Sequence, residues 1–154
     1  MTRAEVLVRP VRPGDLAALL GLIAEHAAFE GGQAPAEAAA LSQAFFAPPP
    51  RLFGWVAVAD AGPLGYASAT REFSTWRGRE HLHMDCLFVS TAARNRGVGA
   101  RLAQAVLGFA AAQGLSEVQW QTPAWNADAA RFYERLGAVG TGKIRFSLSV
   151  ARSP

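Results

Sequence analysis

The sequence predicts an α/β (α+β) fold, a mixed and mostly antiparallel sheet with helices on both faces. Three observations carry this. Short apolar runs bounded by Gly and Pro alternate with longer stretches of helical period. Ala61-Gly62-Pro63 is a turn between two of the runs, which makes them a hairpin. A third run leads through a basic, glycine-bearing loop into a helix and on to a fourth run. The right-handed strand–helix–strand rule makes that one step parallel. The predicted order is β-α-α-β-β-β-α-β-α-β-β.

Residues 5–9 (EVLVR) read as the first strand, ended by Pro10 and Pro13. Gly14-Asp15 opens a helix with Asp15 near its cap, and Leu16, Leu19, Leu20, Ile23 and Ala27 form its buried stripe. Glu30-Gly31-Gly32 stops it. An alanine-rich helix from about Pro35 to Phe46 follows and is closed by Pro48-Pro49-Pro50. Phe53 to Ala59 and Leu64 to Thr70 are the hairpin strands. Ser74 to Gly78 is a loop, and the central strand starts near His81. Gly114 ends the central helix, Glu117 to Gln121 is a strand, and Asn126 to Leu136 is a helix capped by Gly137. Two last strands are predicted near 138–141 and 143–150.

Asp85 to Leu102 (DCLFVSTAARNRGVGARL) is the stretch richest in chemistry. Its strand passes into Arg94-Asn95-Arg96-Gly97-Val98-Gly99, and a helix follows with Val98, Leu102, Ala105, Val106 and Phe109 on one face. A helix start has unpartnered N–H groups and partial positive charge. Gly97 and Gly99 let that backbone approach a ligand, and three arginines surround it. The loop therefore reads as an anion site suited to a pyrophosphate. It fits neither GxxxxGK[ST] nor GxGxxG.

At 154 residues the chain is read as one domain, 1–154, large enough for a real core. Its apolar runs are broken by Gly, Pro or charge, so no transmembrane helix is predicted, and the first ten residues lack the apolar core of a signal peptide. A single cysteine, Cys86, excludes an internal disulfide and fits a reducing, cytoplasmic compartment. The net charge of +3 is modest and scattered, which an anionic cofactor explains as well as nucleic acid would. No nucleic acid and no membrane is expected as a partner.

Arg94-x-x-Gly97-x-Gly99, between a predicted strand and a predicted helix, resembles the acetyl-CoA signature [Q/R]xxGx[G/A] of the GNAT acetyltransferase superfamily. Trp125-Asn126 with Phe132-Tyr133 and Gly137-Ala138 resembles the segment that follows it in that family. Val8-Arg9-Pro10, Ala28-Phe29-Glu30, Phe73 to Gly78 and Met84 to Val89 resemble the spermidine/spermine branch, which includes diamine and thialysine acetyltransferases. The resemblance implies acetyl-CoA as acyl donor. Leu87, Phe88 and Val89 would hold it, with the Leu87 and Val89 N–H groups pairing like an added strand. Arg94, Asn95, Arg96, Gly97, Val98, Gly99 and Ala100 would hold the pyrophosphate, with Asn126 and Ala129 assisting. It also implies a homodimer and a small-molecule primary amine, such as a polyamine, a diamine or a thialysine-like amino acid, as acceptor. A non-catalytic acyl-CoA-binding or interaction module, or an enzyme for protein amines, is the alternative.

An alkylammonium with a pKa near ~10.4 must lose a proton before it attacks a thioester. The site therefore needs a proton acceptor, an oxyanion donor and a proton donor for the leaving thiolate. Asp85 is the candidate acceptor. It matches the family's glutamate, and being one methylene shorter it would act through water. Its other reading is a charged residue near a strand end. Tyr133 matches the family's tyrosine and is the candidate donor; taken alone it would be a core aromatic. Asn126 would cap its helix or bond the cofactor. Trp76 would line the acceptor site or pack in its loop, and Glu30 matches an acidic family position. By the two-residue period His81, His83 and Asp85 share a strand face, with Cys86, Met84 and Phe88 opposite. Three ligands in line converge poorly on a metal, so none is expected there, and His83 is read as a proton carrier for Asp85. Cys86 is read as core. A polyamine calls for several acids, and the family's second acid is Cys86 here, so an amino-acid amine is as good a reading.

Overall fold

The computed structural model describes residues 5–151. It divides into two compact units, Met1–Gln121 and Thr122–Pro154. In the first unit the order is β1 (Leu7–Pro10), α1 (Leu16–Phe29), α2 (Ala38–Phe46), β2 (Phe53–Ala59), β3 (Gly62–Ser74), β4 (Arg79–Val89), α3 (Val98–Ala112) and β5 (Val118–Gln119). The second unit contains α4 (Ala127–Arg135). The five strands lie in sequence order in one sheet. Every pairing is antiparallel except β4 with β5, the pair joined through α3.

The helices cover both faces of the sheet, as the alternation along β2 requires. Val56 joins Tyr66 and Phe88 in a buried cluster with Leu19 and Leu22 of α1, and Phe45 and Phe46 of α2 pack against it. On the other face Phe53 and Trp55 meet Phe109 of α3, with ring centroids 4.7 and 5.3 Å apart. Leu102 of α3 is fully buried. Gly65 lets β3 approach β4, since a Cβ there would lie 2.5 Å from the Phe88 carbonyl oxygen and 3.3 Å from Leu102. Asp15 does not cap α1 with its side chain. Its carboxylate instead accepts two hydrogen bonds from Arg9, at 2.7 and 2.9 Å, and one from the Arg12 N–H. The Arg9 bonds hold that carboxyl below its usual range.

Several boundaries differ from the sequence expectation. The second helix starts at Ala38 rather than Pro35. β3 and β4 form a longer hairpin than predicted, reaching Ser74 and Arg79 and turning only over 75–78. β5 pairs over two residues, not five. The two predicted C-terminal strands are not formed: residues 138–151 carry no strand. Ile144, Phe146, Leu148 and Val150 alternate with Lys143, Arg145, Ser147 and Ser149, and all four apolar residues are 80–93% exposed. Their period is that of a strand, but a strand also needs a paired strand beside it, and among the described residues no strand pairs there.

The register within β4 positions the site. Ser68 pairs with Cys86, and the next residue, Ala69, pairs with Met84. Asp85 is therefore the extra residue of a β-bulge. Residues opposite one another share a face, so the bulge sends Met84 to the face opposite Cys86. This corrects the two-residue count that put them together. His83, paired with Thr70, and Cys86, paired with Ser68, then lie on the α1 side with Asp85 between them.

Candidate active site

β4 has a neighbour on its β5 side only at Leu82 and His83. From Met84 to Val89 no strand of the described chain pairs with that edge. The bulge begins where this pairing ends. It brings Asp85, 62% exposed, within 4.0 Å of the His83 Nε2 through Oδ1, while Oδ2 accepts from the Cys86 thiol at 3.6 Å. A carboxylate in this position is open to water at Oδ1 and bonded by the thiol at Oδ2. Burial pushes the Cys86 thiol up, and the Asp85 charge adds to this, so Cys86 stays a protonated donor. Its role is thus more than the packing the sequence suggested.

β4 then passes through a single 3-10 turn, Thr91–Ala93, into the loop. Asn95 (φ 59°) and Gly97 (φ 76°) both adopt the left-handed region. Such alternation gathers successive N–H groups into an anion-binding hollow. Gly97 is the N-cap of α3 and supplies no side-chain cap, so the first-turn N–H groups of Val98, Gly99 and Ala100 keep their donor capacity for a ligand. The loop's N–H groups thus form an anion-binding hollow at the end of the β4 edge that no strand of the described chain covers.

The three arginines do not all surround this hollow. Arg94 turns back: its Nε donates to the Val89 carbonyl at 3.0 Å, and its guanidinium lies 4.4 Å from the Phe29 ring centroid and 5.5 Å from that of Phe88. A cation over an aromatic face contributes about 0.5–2 kcal/mol, so Arg94 fastens the end of β4 to α1. Arg101 donates to the Val6 carbonyl. Arg96 is exposed at the loop.

α1 brings several polar residues to the end of β4, of which the sequence reading passed over His26. Glu25 accepts from the Ser90 hydroxyl at 2.7 and 2.8 Å, tying the helix to the end of β4. His26 stacks on Phe88 with centroids 4.9 Å apart, and its Nδ1 lies 2.7 Å from the Tyr66 hydroxyl. Glu30 faces the His26 Nε2 at 3.4 Å. His26 and Tyr66 left no mark beyond one polar atom each in apolar surroundings, which reads as core. Trp76 is not brought to Asp85 within the chain. It is 98% exposed at the hairpin tip, and Arg79 to Asp85 alone spans ~20 Å of strand. Among the described residues no three of His, Cys, Asp and Glu gather as a metal site.

In the second unit Asn126 caps α4, its Oδ1 accepting from the Ala129 N–H at 3.1 Å. Tyr133 is partly buried beside Phe132, with centroids 5.3 Å apart. Gly137 (φ 91°) closes the helix: its N–H bonds Glu134 and that of Ala138 bonds Tyr133.

Comparison with known proteins bears on this arrangement. The sequence profile of the acetyltransferase (GNAT) family matches residues 20–138. The D-amino-acid N-acetyltransferase HPA3 of Saccharomyces cerevisiae is 28% identical over 149 residues, 95% of this chain and 92% of the relative. The thialysine N-epsilon-acetyltransferase of Bos taurus is 28% identical over 145 residues, 88% of this chain and 85% of the relative. Among solved structures, the aminoglycoside N-acetyltransferase AAC(6')-Iy in complex with CoA superposes with TM-score 0.81 at 22% identity, covering 98% of this chain and 99% of that one. An aminoglycoside acetyltransferase from an uncultured soil metagenomic sample, in complex with sisomicin, gives TM-score 0.81 at 16% identity, covering 95% and 97%.

The α3 N-terminus can be tested directly. Gly99→Glu places bulk and negative charge where a pyrophosphate would sit. Calorimetry of the folded variant is expected to show CoA affinity reduced at least tenfold, roughly the loss of one charge-assisted hydrogen bond. Unchanged affinity would remove the loop from the cofactor site.

Proposed function

The chain belongs to the acetyltransferase (GNAT) family, and we propose that it moves the acetyl group of acetyl-CoA to the primary amine of a small molecule by direct attack in a ternary complex. As a member it is an acetyl-CoA-dependent N-acetyltransferase; the acceptor and the residue roles are our reading. The observation that carries the reading is the bulge at Asp85, which presents an open carboxylate on the half of β4 that has no neighbour on its far side. Asp85 takes the ammonium proton through water. Acetyl-CoA supplies the thioester carbonyl. Leu87 and Val89 offer backbone groups along its edge, and the N–H groups from Asn95 to Ala100 hold its pyrophosphate.

The distribution of acids favours an acceptor of amino-acid type over a polyamine. Glu25 is engaged by Ser90, and Glu72 and Glu80 face His81 and Arg71 across the hairpin. Glu30 remains near the site, held by His26. One carboxylate beside Asp85 suits a compact amine better than a chain of ammonium groups. The two curated relatives, named for D-amino acids and thialysine, support the same direction.

Tyr133 carries the role its family position implies, a proton donor to the leaving sulfur, and Asn126 keeps its amide nitrogen for the cofactor while its oxygen caps α4. A phenol near ~10 protonating a thiolate near ~8.5 is uphill by roughly 2 kcal/mol. A donor in a site without bulk water offsets that cost as charge builds on sulfur. We read the chain as one domain, since the family match runs through both units. No helix among the described residues is long and apolar enough to cross a membrane; with a single free cysteine this supports a cytoplasmic location. A homodimer is supported by the stripe of Ile144, Phe146, Leu148 and Val150. Contiguous exposed apolar side chains of this kind mark interaction surfaces.

Asp85→Asn should lower kcat/KM about 10²–10⁴-fold near neutral pH, with the deficit shrinking as rising pH supplies free amine. A deficit constant with pH would make Asp85 a positioning group only. Tyr133→Phe should leave folding and acetyl-CoA binding intact while lowering kcat, and less so with an acyl donor whose thiol is more acidic. Equal kcat where chemistry limits turnover would return Tyr133 to core packing. Sedimentation velocity should show a dimer that Phe146→Asp dissociates; a monomeric parent protein sinks the dimer.

A further inference from the structure

Tyr66 is 3% exposed in the middle of β3. A buried hydroxyl costs free energy unless it is bonded, and phenylalanine would fill the same space without that requirement. Packing therefore does not explain the hydroxyl. Its partners do. On the α1 side it meets His26 Nδ1 at 2.7 Å, and His26 is held by the Phe88 ring and by Glu30. On the β4 side it faces the thiol of Cys86, which lies opposite Ser68 across the strands and packs against the same buried cluster as Tyr66. The thiol donates to Asp85 Oδ2 at 3.6 Å. Four side chains from three elements thus form a line that ends on the carboxylate. The titratable groups facing the hydroxyl are His26 and Glu30 from α1 and Cys86 and Asp85 from β4. Burial raises Tyr66 well above its ordinary value, and Cys86 and Asp85 add to this, so the phenol keeps its proton.

We propose that Tyr66, held by His26, is a positioning residue for Asp85: its hydroxyl fixes the Cys86 thiol, and the thiol fixes the carboxylate so that Oδ1 faces the water that relays the amine proton. This rests on the reading of Asp85 as the base. Asp85 is exposed and sits on a bulge, where strand pairing does not hold its side chain. The thiol bond restricts it from the buried side and leaves the solvent side open. The hydroxyl is itself buried and held at 2.7 Å by His26, so the direction it gives the weak S–H donor is fixed.

The test measures kcat/KM from pH 7 to 10 for the parent protein, Tyr66→Phe, Asp85→Asn and the double variant. Near pH 7 Tyr66→Phe should lose about ten- to a hundredfold, the scale of a misplaced catalytic group, with KM for acetyl-CoA unchanged. Its deficit should shrink toward pH 10 in parallel with that of Asp85→Asn. The double variant should be no slower than Asp85→Asn. His26→Phe keeps a ring against Phe88 and should behave like Tyr66→Phe; His26→Asn, with a polar group where Nδ1 stood, should recover part of the loss. If Tyr66→Phe does not fold, His26→Phe carries the same comparison. A shrinking deficit in Asp85→Asn together with a constant, additive one in Tyr66→Phe or His26→Phe overturns the positioning role and leaves Asp85 as base. A constant deficit in Asp85→Asn removes the base, and the proposal with it.

Discussion

The far edge of β4 is the constraint on which the first unit turns. On one side the strand is paired along its length with β3; on the other it has β5 at Leu82 and His83 alone. Backbone N–H and C=O groups left without a strand neighbour must meet a side chain, as the Val89 carbonyl meets Arg94, or else water or a ligand. The segment from Met84 to Val89 therefore has to face a solvent-accessible space. The bulge at Asp85 opens where that space begins, and the anion-binding loop closes it at the other end. On the proposed reading, a cofactor with amides in its arm and phosphates at its end would satisfy both with one molecule.

A strand so poorly braced on one side needs bracing elsewhere, and α1 provides it. Glu25, His26, Phe29 and Glu30 recur at helical spacing on one face. Glu25 holds Ser90, His26 stacks on Phe88 and bonds Tyr66, and Phe29 lies beneath Arg94. Each contact is modest, and together they bear on the last residues of β4 from the side opposite α3.

How much of this was legible in the sequence follows from what each feature depends on. The strand, loop and helix around Gly97 were legible because turn chemistry and helical period are local. So were the helix stops at Gly114 and Gly137, where a left-handed residue closes each last turn. The bulge was not, because it is a property of the register between β3 and β4 and no residue of either strand announces it. Counting by twos through Asp85 consequently put Cys86 on the wrong face and hid its bond to the carboxylate. The line from His26 through Tyr66 was hidden for the same reason: its members lie 40 residues apart and each alone looks like core. The C-terminal stripe shows the opposite failure. A strand was expected there, and the residues do alternate as a strand would, but alternation makes a strand only where a partner exists.

The arginines show why counting charges near a motif misjudges the force that holds an anion. Three lie within or beside the loop, yet Arg94 and Arg101 donate to the carbonyls of Val89 and Val6. Their charge contributes a field at the loop, while their hydrogen bonds stiffen the backbone that carries it. The contacts available to a phosphate are then the N–H groups between Asn95 and Ala100, oriented by two left-handed residues and by the dipole of a fifteen-residue helix. Such dipoles are fixed before the ligand arrives and lose no side-chain entropy on binding, whereas an exposed arginine such as Arg96 must be immobilised and is screened by salt. The loop should therefore hold its anion chiefly through backbone geometry. This is why the sequence marks it with glycines at 97 and 99 rather than with lysine.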